Sequence, residues 1–230
     1  TGRPKAAVLK HLAMVNNARY VRERCGAERG ATFATALPLF HTAGCGLAGM
    51  GTFAEGGTLV LGELFDPGLM LRAVQDHGAT LLGGVPAMLH AMLAHPEVER
   101  FDLSGLEVIM SGGDLVPPAL AERWIKLCGA TFSAVYGQTE LSPIVCQTRP
   151  HDARQDILCT AGQPRPNVDV ASLDPVSGAV VPTGVEGEIC ARGYQTMIEY
   201  LGRPDATAET IAAQGWLPTG ALGRMDARGS

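Results

Sequence analysis

The chain has 230 residues, 46% hydrophobic and 18% charged, with a net charge of -5 from 18 basic and 23 acidic side chains. Such a chain buries roughly 70% or more of its unfolded surface and needs no disulfide or metal to hold a core. The charge balance offers no basic patch, which argues against binding to nucleic acid or an anionic membrane.

Taken in chain order, TGRPKA (1–6) reads as a tight loop carrying a cation, Lys5, suited to a phosphate. Residues 12–25 have helical spacing. Residues 30–53 carry no Asp, Glu, Lys or Arg, which is enough by length to span a bilayer. Pro38, four threonines and five glycines divide that stretch instead into a buried strand ending at Pro38 and a helix over 43–54. TLVL (58–61), ATLLGG (79–84), LEVIMSGG (106–113) and TFSAVYG (131–137) read as buried strands. Between them come helices that start with proline, over 67–77, 86–94 and 117–128. Continuous apolar strands between helices predict an α/β fold with a mostly parallel sheet. Ligands of such sheets sit at the carboxyl ends of the strands, where the glycine-rich turns fall.

From about Pro150 the pattern changes to short strand-like runs broken by DPVSG and PTGVEG, which predicts an antiparallel meander, a barrel-like subdomain, with a short helix over 204–213. The division expected is an α/β core over 1–149 and a β-rich subdomain over 150–230. The six cysteines contain no CxxC pair and read as free thiols. His90 and His95, five apart on a helix, read as surface or boundary residues.

VYGQTEL (135–141) follows a predicted strand and gathers polar groups at its end. Tyr136 offers a ring for a base, Thr139 a hydroxyl for a phosphate and Glu140 a carboxylate for Mg²⁺. A plain strand-to-loop turn gives the same heptapeptide, and the residues alone leave both readings open.

TGRPKA, LPLFHTAG, SGGD, YGQTE, GEICARG and GWLPTG occur in this order, and the set resembles the adenylate-forming (AMP-binding) enzymes over essentially the whole chain. That superfamily includes acyl-CoA synthetases, luciferase-like enzymes and peptide-synthetase adenylation domains. TELSPIV, ARGYQTMIEYL and DATAETI look most like medium- or long-chain fatty-acid CoA ligases. The resemblance implies an acid–thiol ligase using ATP, Mg²⁺ and coenzyme A on a fatty or other carboxylic acid. The free thiols and the division of residues 30–53 give the expectation of a cytoplasmic protein without a membrane span, with peripheral membrane contact and oligomeric state left open.

The resemblance also implies residue roles. Thr1 and Gly2 would border the triphosphate and Lys5 would meet its outer phosphates, although Ala6 stands where the family usually has Gly. His41 would lie between acid and nucleotide; as a bare feature it is equally a core histidine. Gly112 and Gly113 would let the backbone approach adenine, with Asp114 beside them. Tyr136 would stack on the base, Gly137, Gln138 and Thr139 would border the α-phosphate, and Glu140 would hold Mg²⁺. Residues 83–86 and Ser142 would wall the acyl tunnel, while Gly83 and Gly84 equally suit a simple turn. The family's ribose-gripping aspartate in GWLPTGALG is replaced by Ala221, and Asp226, five positions on, would face away in an extended segment.

The front half of the phosphate loop and the lysine-bearing C-terminal domain of the family are not among these residues, and no lysine follows Lys126. The expectation is therefore a central fragment of a ligase, inactive by itself. Two further readings stand beside it: a non-catalytic relative that binds nucleotide or acyl chain, and an enzyme loading a carrier-protein thiol.

Overall fold

The computed structural model describes residues 4–230; Thr1 and Gly2 lie outside the described residues. In chain order the elements are β1 (Ala7–Val8), α1 (His11–Arg24), β2 (Thr32–Thr35), a π-helical segment (Ala43–Met50) running into α2 (Gly51–Ala54), and β3 (Thr58–Leu61). Next come α3 (Pro67–Asp76), β4 (Leu81–Gly83), α4 (Pro86–Leu93), β5 (Val108–Gly112), α5 (Pro118–Cys128), β6 (Thr131–Gly137) and β7 (Ile144–Gln147). The last third contributes α6 (Arg154–Cys159), β8 (Gln163–Pro164), β9 (Val168–Leu173), β10 (Gly187–Gly193), β11 (Glu199–Tyr200), α7 (Pro204–Thr210) and β12 (Leu217–Gly223).

Seven strands form the main sheet in the order β3-β2-β4-β5-β6-β7-β8. The first five are parallel; β7 and β8 join antiparallel. Both faces are covered, which is why its central strands read as unbroken apolar runs. Alternation within single strands sorts the two cores. Leu82 and Ile109 join Leu71, Leu89, Trp124 and Phe132 under α3, α4 and α5. Leu81, Val108 and Met110 join Val21, Phe33 and Leu47 under α1 and the π-helical segment.

The proline-started helices follow local chemistry. Asp66 Oδ1 accepts the Leu69 amide at 2.8 Å ahead of Pro67, and α5 ends on Gly129 at φ 76°. Residues 43–54 were expected as one helix. The first eight are instead wound as a π-helix, which three glycines out of eight make easier by weakening ordinary helical preference. A side chain at Gly44 would meet the Pro38 carbonyl oxygen at 2.1 Å, so the widened segment lies directly on the loop that follows β2.

The second sheet, β12-β10-β9, is antiparallel. A separate core of Leu141, Val145, Val168, Ala191, Met197, Tyr200 and Leu217 spans the ground between it and the antiparallel end of the main sheet. The β1 and β11 pair forms a two-stranded ribbon. Buried polar side chains tie α1 to β7 and beyond. Asn17 both donates to the Ile144 carbonyl (2.7 Å) and accepts from its amide (3.2 Å), and Gln147 bonds Ser133 (2.9 Å) and Arg165 (2.5 Å). All six cysteines are free, and among the described residues no helix is long and apolar enough to cross a membrane.

Candidate active site

The carboxyl ends of β2, β4, β5 and β6 open onto a cavity of about 490 Å³. Phe33, Leu37 and Pro38 line it from β2 and its loop, Val85 and Met88 from the start of α4, and Thr139 and Glu140 from the turn after β6. No Lys or Arg is among its described lining residues; the titratable side chains there are His41 and Glu140. A second cavity of about 570 Å³ lies beside it, walled by residues 113–116 after β5, Tyr136 on β6, and residues 157–161 of and after α6. Gly113, Val135 and Gly137 line both, so the ends of β5 and β6 form a shared wall.

Three glycines are required here by crowding or backbone shape. A side chain on Gly137 would meet the Pro143 carbonyl oxygen at 2.0 Å, one on Gly112 the Val135 carbonyl oxygen at 2.1 Å, and Gly113 has φ 80°. These glycines let the strand ends close up while leaving backbone bare on the cavity side. Gly83 is not a turn residue. It ends β4, where a side chain would strike the Phe33 ring at 2.5 Å, so its bareness gives that ring its place in the first cavity.

The structure distributes the anticipated residues as follows. His41, Gly112, Gln138, Thr139 and Glu140 line the first cavity, Asp114 and Tyr136 the second, and Gly113 and Gly137 both. His41 is exposed at the cavity mouth and not in the core; its Nδ1 accepts the Ala43 amide at 3.1 Å. Asp114 is exposed and takes the Leu115 amide at 2.7 Å. Ser142 lines neither cavity. It is fully buried at φ 61°, and its hydroxyl donates to the Gln195 carbonyl at 2.8 Å, which turns it away from both cavities. Pro86 likewise starts α4 without lining the cavity.

Tyr136 is half-buried and donates its hydroxyl to Thr219 Oγ1 at 2.8 Å. Burial pushes its phenol above the ordinary value, against the opposing effect of that hydrogen bond. Thr219 Oγ1 donates in turn to the Ile189 carbonyl (2.8 Å) and accepts the Ala221 amide (3.3 Å). Ala221 therefore sits on β12 one hydrogen bond beyond Thr219 and lines neither of the two cavities. Asp226 does not face away along an extended strand. It lies past the end of β12, in a turn where its carboxylate takes Arg228 side-chain donors (2.7 and 2.9 Å) and the Arg228 and Ser230 amides (2.8 and 2.9 Å).

Lys5 lies outside both cavity walls, exposed, with Nζ 4.2 Å from the centroid of the Tyr200 ring. The Tyr200 hydroxyl donates to Glu140 Oε1 at 2.5 Å. Burial first, then the Glu140 carboxylate, pushes the Tyr200 phenol up, so it remains a donor at neutral pH. The segment 195–201 thus brings Lys5 and Glu140 together. Sequence reasoning assigned Tyr200, Thr219 and Gln195 no role. Their only signal is membership of motifs far from the residues they touch.

Among the described residues no three His, Cys, Asp or Glu side chains gather as a metal site. Glu140 is a lone carboxylate at a cavity mouth with one oxygen engaged by Tyr200. A lone carboxylate would suit Mg²⁺ brought in on nucleotide phosphates, with Glu140 as the residue that would hold it and the ion offsetting phosphate charge.

Comparison with known proteins gives a consistent result. A family model described as "AMP-binding enzyme" matches residues 1–201. The chain is 39% identical over 230 residues to feruloyl-CoA synthase of Amycolatopsis sp, covering 100% of this chain and 46% of that protein. It is 31% identical to the mitochondrial medium-chain acyl-CoA ligase ACSF2 of Danio rerio, covering 98% and 38%. Its fold matches ATP-bound MatB from Rhodopseudomonas palustris with a TM-score of 0.91 at 26% identity, over 100% of this chain and 44% of that one. The chain spans less than half the length of each of these relatives. With a family model over most of its length and the same fold in a solved relative, the chain belongs to the AMP-binding enzyme family.

Proposed function

We propose that the protein containing this chain is an ATP-dependent acyl-CoA ligase acting on fatty acids. The observation that carries this reading is the pair of cavities with a common glycine wall, one apolar and without a cation, the other beside a half-buried tyrosine. The acid's tail lies among Phe33, Leu37, Val85 and Met88, and its carboxylate faces His41, Gln138 and Thr139 at the mouth. Among the described lining residues there is no Lys or Arg to pair with a second carboxylate on the tail, which supports a monocarboxylic acid as substrate.

Adenine occupies the second cavity against Tyr136, Gly113 and Asp114, and the α-phosphate reaches the shared wall at Gly137. Residues 1–149 supply most of both cavities, and residues 150–230 close the second one through residues 157–161 and hold Tyr136 through Thr219. A carboxylate oxygen attacks the α-phosphorus and pyrophosphate leaves, giving an acyl-adenylate. The thiolate sulfur of coenzyme A then attacks the acyl carbon and AMP leaves. Two anions must approach each other in the first step, so Lys5 and Glu140 act through charge and position. Mg²⁺, when bound, offsets phosphate charge. The six free thiols suit a cytoplasmic protein.

Acid-dependent pyrophosphate exchange by the protein at its natural length tests this. Exchange is expected with straight-chain monocarboxylic acids and not with dicarboxylic ones. Exchange with aromatic acids alone would remove the fatty-acid assignment, and exchange with no acid would remove the ligase.

Ala221 favours a second reading, in which the site binds nucleotide without turnover. Ala221→Asp separates the two. A restored carboxylate contributes roughly 1.5–3 kcal/mol, so ATP affinity should rise by about ten- to a hundred-fold. Exchange activity that rises with it marks an otherwise intact ligase; tighter binding with no exchange supports the binding-only reading.

A further inference from the structure

We propose that Tyr200 is a positioning residue that sets Glu140 and Lys5 in their working places, an inference that rests on the roles given to those two residues above. Tyr200 is 3% exposed and is held from several sides. Its amide donates to Thr207 Oγ1 at 2.9 Å, it pairs with Ala7 in the β1–β11 ribbon, and the next amide, of Leu201, donates to the Ala6 carbonyl at 2.8 Å. The ribbon therefore fixes the backbone one residue from Lys5. On the other side, the Met197 amide donates to the Glu140 carbonyl at 2.8 Å, which fixes the backbone of the carboxylate.

Between these anchors the tyrosine uses two different faces. Its hydroxyl edge holds Glu140 Oε1 at 2.5 Å, in the range of a charge-assisted hydrogen bond. Its ring face carries the Lys5 ammonium at 4.2 Å from the centroid. Two consequences follow. The carboxylate is restrained with Oε1 engaged, which leaves Oε2 as the oxygen free to meet a cation. The ring also stands as a partner to both charges. A direct contact would let the ammonium and carboxylate neutralise each other, and among the described residues no ion pair joins them.

The hydroxyl and the ring can be removed separately. Tyr200→Phe keeps the ring under Lys5 and deletes the bond to Glu140; Tyr200→Leu deletes both. In the protein at its natural length, binding of ATP is measured by calorimetry with Mg²⁺ and with EDTA, beside thermal melting and the Mg²⁺ dependence of pyrophosphate exchange. For Tyr200→Phe, metal-free ATP should bind within two-fold of wild type. The advantage of MgATP over metal-free ATP should shrink roughly ten-fold, and the Mg²⁺ needed for half-maximal exchange should rise by about the same factor. For Tyr200→Leu, metal-free ATP should in addition bind about two- to five-fold more weakly. An unchanged MgATP advantage in Tyr200→Phe would overturn the inference alone. Equal weakening of both ATP forms, in step with melting, would make the residue merely structural and overturn it too. A wild-type protein that binds neither form would sink the underlying reading of Lys5 and Glu140 along with it.

Discussion

Glu140→Gln should lower acid-dependent pyrophosphate exchange by on the order of a hundred- to a thousand-fold while leaving the melting temperature within a few degrees of wild type. The substitution is close to isosteric, and its carbonyl oxygen still accepts the Tyr200 hydroxyl, so the ribbon and turn stay in place. What disappears is the negative charge at the mouth of the first cavity. Raising Mg²⁺ should recover part of the loss, because a weakened cation site fills again at higher concentration. Rates measured across a Mg²⁺ series check both statements. Activity within about three-fold of wild type at low Mg²⁺ would take Glu140 out of cation handling altogether.

Gly137→Ala should be the most damaging single methyl group at the site. The new carbon would lie 2.0 Å from the Pro143 carbonyl oxygen and 2.9 Å from the Ile144 Cα, both backbone atoms. The register of β6 against β7 shifts between Tyr136 and Gly137, so the close approach belongs to the strand pairing itself. Forced separation should cost about 3 kcal/mol, or roughly 6–12 °C in melting temperature. Because Gly137 lines both cavities, nucleotide and acid affinity should fall together, and not one alone. Gly178→Ala serves as the comparison. It has φ 69° with nothing within 4 Å, so only backbone strain of about 1–2 kcal/mol applies and binding is untouched. A Gly137→Ala protein as stable as Gly178→Ala would contradict the crowded-wall account.

The central sheet was legible because its signals are local. Apolar runs such as TLVL and LEVIM, each followed by glycine and then a proline-started helix, carry their own boundaries. β7 was not read from the sequence at all, because a four-residue run just behind Ser142 and Pro143 is too short to show a period. The six-residue α6 is too short to show a period and lies where turn residues dominate. The same holds for the two-residue strands β1 and β11. In the site, residues contributed by one strand end were visible as a cluster, as in residues 136–140. Partners drawn from afar were not: nothing in MIEYL announces that its tyrosine reaches Glu140 and Lys5.

The pairing of Ala7 with Tyr200 also orders events in time. Contacts between distant residues close the largest loops and form late. A chain leaving the ribosome can complete β2 to β6, with their local connections, well before residue 200 emerges. Lys5 and Glu140 have no common support until then. ATP should therefore do little to speed the early collapse and should hold chiefly the finished state, so refolding followed with and without nucleotide would differ in its last phase.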